Sequence, residues 1–72
     1  MTDTPSLART LQVARYQKDL SLRQLHEASG VSLKTLHRLE AGVGNPHGRT
    51  LFRLAKALDL DPYQLLDLGE SA

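Results

Sequence analysis

Leucine and alanine recur along this chain at intervals of three and four, the spacing that gathers side chains on one side of an α-helix. No stretch alternates long enough to be a strand. Five helical segments follow from that spacing and from the residues that punctuate it. Ser6 caps a first helix over about residues 7–18, with Leu7, Leu11 and Ala14 as its inward stripe. Residues 1–5 ahead of it read as a frayed arm. Asp19 and Leu20 form a short connection. Ser21 then caps a second helix, and Gln24 three positions on completes a capping-box pattern. Leu22 and Leu25 face inward, and the helix stops near Ser29-Gly30, where glycine takes a positive φ without steric cost. Ser32 caps a third helix that Gly42 ends. On it Leu36 and Leu39 share one side. Lys34, His37, Arg38 and Ala41 share the other, with Leu33 and Thr35 at the borders.

Residues 43–48, "VGNPHG", read as a loop. A fourth helix covers about residues 50–58, with Leu51, Leu54, Ala55 and Leu58 inward and Arg53 and Lys56 outward. Asp61-Pro62 opens a fifth, the aspartate as cap and the proline in the first turn, where its missing N–H costs nothing. Tyr63, Leu65, Leu66 and Leu68 give this helix its apolar surface, and residues 69–72 read as a loose tail. The expected fold class is all-α: a compact bundle of five short helices in a single domain over residues 1–72, ordered over about 6–68.

The chain has 72 residues and no cysteine. A core of this size rarely supplies more than about 3–5 kcal/mol. Disulfides and thiolate metal sites are excluded, and a cytoplasmic chain is the natural expectation. No apolar run approaches the roughly 20 residues of a membrane span, and the opening MTDTPS lacks the basic-then-apolar order of a secretory signal. The net charge of +1 hides an asymmetry. All 9 Lys and Arg precede residue 57 together with Asp3, Asp19, Glu27 and Glu40, while Asp59, Asp61, Asp67 and Glu70 follow it. A basic body with an acidic end fits a polyanion-binding surface on one side; ordinary surface charge is the other reading.

Two short helices joined by a tight glycine-containing turn form a helix-turn-helix. Val31, Leu36 and Leu39 anchor the second of these helices, so its opposite face is free to enter a major groove, which admits one α-helix. Lys34 and Arg38 lie one turn apart on that face. An arginine bonds a guanine edge through two parallel N–H groups, and a lysine contacts a base or a phosphate. Leu33 at the helix start suits a thymine methyl. Ser32 and Thr35 are the right size for phosphate oxygens beside the backbone N–H groups of a helix start. A merely solvated cationic face is the competing reading.

The stretch "LSLRQLHEASGVSLKTLHRLEAG" (residues 20–42) resembles the lambda-repressor-like, Cro-type helix-turn-helix family, also called XRE. "TLFRLAKALDLDPYQLL" (50–66) looks like helices four and five of that family. The resemblance spans about residues 7–68. It includes an L-E-x-G ending at residues 39–42 and an L-x-x-L-A-x-A-L run at residues 51–58. It implies that bases are read from Leu33, Lys34 and Arg38, with His37 beside them. It also implies a structural ion pair between Arg15 and Glu40, and DNA-backbone or minor-groove contact by Arg49 just before helix four. Phosphate contacts at the start of helix two fall on Ser21, Leu22 and Arg23. Two positions depart from the family pattern. Leu22 stands where many members carry a phosphate-binding Gln, leaving Arg23 as the substitute. His26 stands where a small Ala is usual, so it must either tilt outward or widen the packing of helices two and three.

Other chemistry finds little support. No two of His26, His37 and His47 lie one helical turn apart, so neither a metal nor any other cofactor is expected. No catalytic constellation and no phosphate loop of nucleotide-site type is present, so no enzyme is expected. Tyr63, Leu65, Leu66 and Leu68 exceed what one side of a short helix must bury, with Tyr63, Leu66 and Leu68 as the seam candidates. They either close the core or form a dimer seam, and a symmetric dimer would set two recognition helices about 34 Å apart, one turn of DNA. The expected function is a sequence-specific DNA-binding regulator: a repressor acting as a homodimer on a palindromic site in double-stranded DNA. The alternative is a protein-interaction module, or an antitoxin that binds both DNA and a toxin partner.

Overall fold

The computed structural model describes residues 6–44 and 46–70. Five helices follow one another: α1 (Leu7–Gln17), α2 (Leu22–Ser29), α3 (Leu33–Glu40), α4 (Gly48–Leu58) and α5 (Pro62–Glu70). No strand occurs among the described residues. The fold is all-α, as the spacing predicts.

Side-chain caps explain where four of the five helices start; α4 has none. The Ser6 hydroxyl accepts the Arg9 N–H at 3.1 Å. At α2 the capping box is complete: Ser21 Oγ accepts the Gln24 N–H at 3.0 Å, and Gln24 Oε1 accepts the Ser21 N–H at 2.8 Å. Ser32 Oγ accepts the Thr35 N–H at 3.1 Å, and Asp61 Oδ1 accepts the Tyr63 N–H at 3.0 Å. Each bond satisfies a backbone donor that the helix start leaves over.

Two boundaries differ from those the sequence predicts. α4 begins at Gly48, so Arg49 lies inside its first turn rather than ahead of it. His47 takes the extended backbone of an N-cap (φ −72°, ψ 152°), and the following glycine is helical despite its low propensity. Leu66 of α5 packs beside it: a Cβ on Gly48 would meet Leu66 Cδ2 at 3.5 Å, an ordinary contact. Gly48→Ala is therefore expected to stabilise the domain by up to about 1 kcal/mol, read as a shift of the urea midpoint. A lower midpoint would mean that the start of α4 needs the glycine. The second difference is α5, which continues through Gly69 to Glu70 in place of the expected loose tail. The expected arm at residues 1–5 and the last two tail positions lie outside the described residues.

Both α1 and α4 close through an aspartate with left-handed backbone, Asp19 (φ 55°) and Asp59 (φ 56°). The leucine after each donates its N–H back across the turn, Leu20 to the Arg15 carbonyl at 3.0 Å and Leu60 to that of Ala55 at 2.9 Å. Such ends usually use glycine; aspartate is among the few side chains that tolerate the conformation. Lys18 Nζ joins the two turns by contacting Asp59 Oδ2 at 2.7 Å. The hydrogen bond from Lys18, helped by its charge, holds the Asp59 carboxyl below its ordinary value. The pair's small contribution is thus present above the usual carboxylate range and lost as pH falls through the lowered value.

The core is built from Leu11 and Ala14 of α1, Leu25 of α2, Val31 of the turn, Leu36 and Leu39 of α3, Leu51, Leu54, Ala55 and Leu58 of α4, and Leu65 of α5. α3 rests on α1 and α2, α4 on α2 and α5, and α5 on α1. Leu22, expected inward, is half-buried against this core. The radius of gyration, 11.1 Å, is that of a packed chain of this length. The stack leaves one long side of α3 uncovered.

Candidate nucleic-acid interface

That uncovered side is held in place from behind. Arg15 of α1 is buried, 8 % exposed, and meets Glu40 at the end of α3 through two parallel bonds: Nε to Oε2 at 2.7 Å and Nη2 to Oε1 at 2.9 Å. Its remaining nitrogen, Nη1, donates to the Leu20 carbonyl at 2.8 Å. Gln12, one turn earlier on α1, donates to the Glu40 carbonyl at 2.7 Å. The bond to Glu40 raises the Arg15 pKa further against the opposing effect of burial, so the guanidinium stays charged. Arg15 also stacks over the Tyr16 ring at 4.7 Å. The expected Arg15–Glu40 pair is thus present, and it ties the last turn of α3 to α1.

The first turn of α3 is fixed by the segment before it. Gly30 has φ 77°. The Val31 N–H donates to Ser29 Oγ at 3.1 Å, and Ser29 in turn donates to the Leu25 carbonyl at 2.7 Å. The Val31 carbonyl lies 2.7 Å from His26 Nδ1. A carbonyl only accepts, so Nδ1 carries the proton in this bond. His26 is therefore half-buried as a brace of the turn, its ring bonded to the chain that leads into α3. The sequence marks His26 as out of pattern but gives no sign of this bond, and nothing in it points to Ser29 or Gln12.

On the free side Leu33 is 38 % exposed, and Lys34, His37 and Arg38 are exposed. Neither Lys34 nor Arg38 has a carboxylate within ion-pair distance among the described residues. Ser32 donates its hydroxyl proton to Thr35 Oγ1 at 2.8 Å while accepting the Thr35 N–H. The outward donor of this pair is thus the Thr35 hydroxyl. The Ser21 hydroxyl accepts in its cap, and its proton is free to donate outward. Arg23 and Arg49 are exposed in the first turns of α2 and α4. A cleft of about 300 Å³ runs between α3 and the start of α4, lined by Lys34, Thr35, Arg38, Gly44, His47 and Thr50. It joins the cationic face of α3 to the segment that leads into α4.

Of the expected seam residues, Leu66 and Leu68 are half-buried against the core, while Tyr63 is 73 % exposed. Tyr63 meets Phe52 of α4 edge to face, centroids 6.3 Å apart, and Phe52 is itself 44 % exposed. Among the described residues no cluster of metal-ligating side chains occurs, and no helix is long and apolar enough to cross a membrane.

A helix-turn-helix family model matches residues 7–65, from the first residue of α1 into α5. No curated protein gives a significant match. The matched region holds the braced turn, the tethered α3 and its cationic face together, in a family of DNA-binding domains that are typically non-enzymatic. The chain belongs to the Cro/XRE-type helix-turn-helix family of DNA-binding regulators.

Proposed function

We propose that this protein is a non-catalytic, cytoplasmic repressor. It binds a palindromic operator as a homodimer and inserts α3 into the major groove. One observation carries this reading. α3 presents Lys34, His37 and Arg38 outward without acidic partners among the described residues, while its buried side is locked to α1 through Arg15 and Glu40. A cationic side chain without a carboxylate keeps its full charge for a polyanion, and a tethered helix loses little freedom on docking. Lys34 and Arg38 read base edges with Leu33 on a thymine methyl and His37 beside them. Thr35 and Ser32 flank them as one hydroxyl pair at the phosphates, with Ser21, Arg23 and Arg49 contacting the backbone on either side. The whole chain acts as one domain.

The exposed Phe52–Tyr63 pair supports two uses of the α4–α5 side. The first is the homodimer seam, with Tyr63, Leu66 and Leu68. The second is a surface for a protein partner, such as the toxin partner of an antitoxin. Selection of the purified protein against a pool of random duplexes, followed by sequencing, tests the main reading. Enrichment of a palindrome is the expected result. A folded, helical protein that enriches no sequence would overturn the operator reading and leave the aromatic pair as the functional surface.

A further inference from the structure

The loop between α3 and α4 touches α3 in a way that bears on how Arg38 is presented. Resting on the DNA-binding reading above, we infer that Gly44 is a positioning residue for Arg38: its bare backbone holds the guanidinium against the loop and so preorganises it for DNA.

Three observations converge. The Arg38 carbonyl accepts the Val43 N–H at 2.9 Å, which folds the loop back onto the residue that carries the guanidinium. Gly44 then takes φ +80°, and a Cβ at this position would lie 3.2 Å from Arg38 Nη2, 3.8 Å from Nε and 3.9 Å from Cζ. A Cβ at position 44 would thus press on the guanidinium, which would have to give by a few tenths of an ångström. Finally, Arg38 has no ion pair among the described residues, so no carboxylate fixes its direction. A long arginine with no such partner ordinarily samples many rotamers, and ordering it on binding costs affinity. Close approach to a residue without a Cβ would restrict it while leaving its charge unpaired, whereas a carboxylate would neutralise it.

The same loop supplies a matched control. Gly42 has nearly the same backbone, φ +75°, but nothing lies within 4 Å of a Cβ built there. A substitution at either glycine meets similar backbone strain, and only the one at position 44 meets Arg38. Asparagine is the suitable replacement, because it tolerates positive φ better than most side chains.

The test compares Gly44→Asn with Gly42→Asn, alone and in an Arg38→Ala background. Affinity is measured on the duplex enriched by selection, or on bulk double-stranded DNA at low salt if none is enriched. Gly44→Asn is expected to weaken binding about two- to tenfold, the cost of ordering one long side chain. Gly42→Asn is expected to leave binding unchanged, and Gly44→Asn is expected to add nothing once Arg38 is alanine. Equal losses at both glycines, or a Gly44→Asn loss that persists without Arg38, would overturn the inference. A second readout needs neither DNA nor a variant: the ¹⁵N relaxation of the Arg38 Nε–H in the free protein. It is expected to be more rigid than that of Arg53, which is exposed on α4. Equal mobility would overturn the inference even if the protein binds DNA. Rigidity in a protein that binds no DNA would sustain the positioning and reject the DNA-binding reading instead.

Discussion

Glu40→Ala is expected to cost about 3–5 kcal/mol, the usual consequence of leaving one half of a buried ion pair alone. Arg15 is 8 % exposed, and after the substitution its guanidinium would keep the Leu20 carbonyl and the Tyr16 ring but no carboxylate partner. The core of a domain this small rarely supplies more than about 3–5 kcal/mol, so the variant should lose much or all of its stability. Chemical denaturation followed by circular dichroism reads the change. The companion variants locate its cause. Arg15→Lys keeps the charge but not the two parallel bonds, and is expected to be destabilising as well. Replacing both residues by leucine removes the charges together and is expected to be far milder than either single truncation. A loss below about 1 kcal/mol for Glu40→Ala would place the pair among ordinary surface bridges and mean that it does not tether α3.

The second large effect falls on DNA rather than on stability. Arg38→Ala is expected to weaken specific binding by about 5- to 150-fold, the range for removing one good base-reading side chain. Arg38→Glu should weaken it further, because it sets a carboxylate against the phosphates. Arg38 is exposed and stands outside the core, so both variants should melt close to the parent. The salt dependence tells which part of the DNA Arg38 meets. If it meets a phosphate, its removal lowers the slope of log affinity against log salt by about one. If it meets a base edge, its removal leaves the slope and relaxes the preference at one base pair. Unchanged affinity in Arg38→Glu would remove the outward face of α3 from the binding surface.

What can be read from the sequence is local or carried by motif. Ser21 with Gln24, Ser32 and Asp61 cap within three residues of themselves, so their roles show in spacing alone. The Arg15–Glu40 pair spans two helices and is reachable only through the L-E-x-G resemblance. The sequence places the start of α4 two residues late, because Gly48 after Pro46-His47 carries every mark of a loop. Its contact with Leu66 belongs to the packed fold and has no local signature. The same holds for the left-handed turns at Asp19 and Asp59, where glycine would have been the signal. In the site, the placement of Lys34, His37 and Arg38 on one face is legible from helical periodicity. Their supports are not. The His26 bond to the Val31 carbonyl, the Ser32–Thr35 hydroxyl pair and the approach of Arg38 to Gly44 depend on which way individual side chains turn.

On the proposed function, α3 meets DNA through its outward face while α1 holds it from behind. Titration of ¹⁵N-labelled protein with duplex DNA, followed amide by amide, is the sharpest test of that arrangement. The largest shifts are expected on residues 32–38 and on the first turn of α2, with smaller ones at the start of α4. Shifts confined to α5 and the Phe52–Tyr63 side, or none at concentrations where mobility assays show binding, would contradict it.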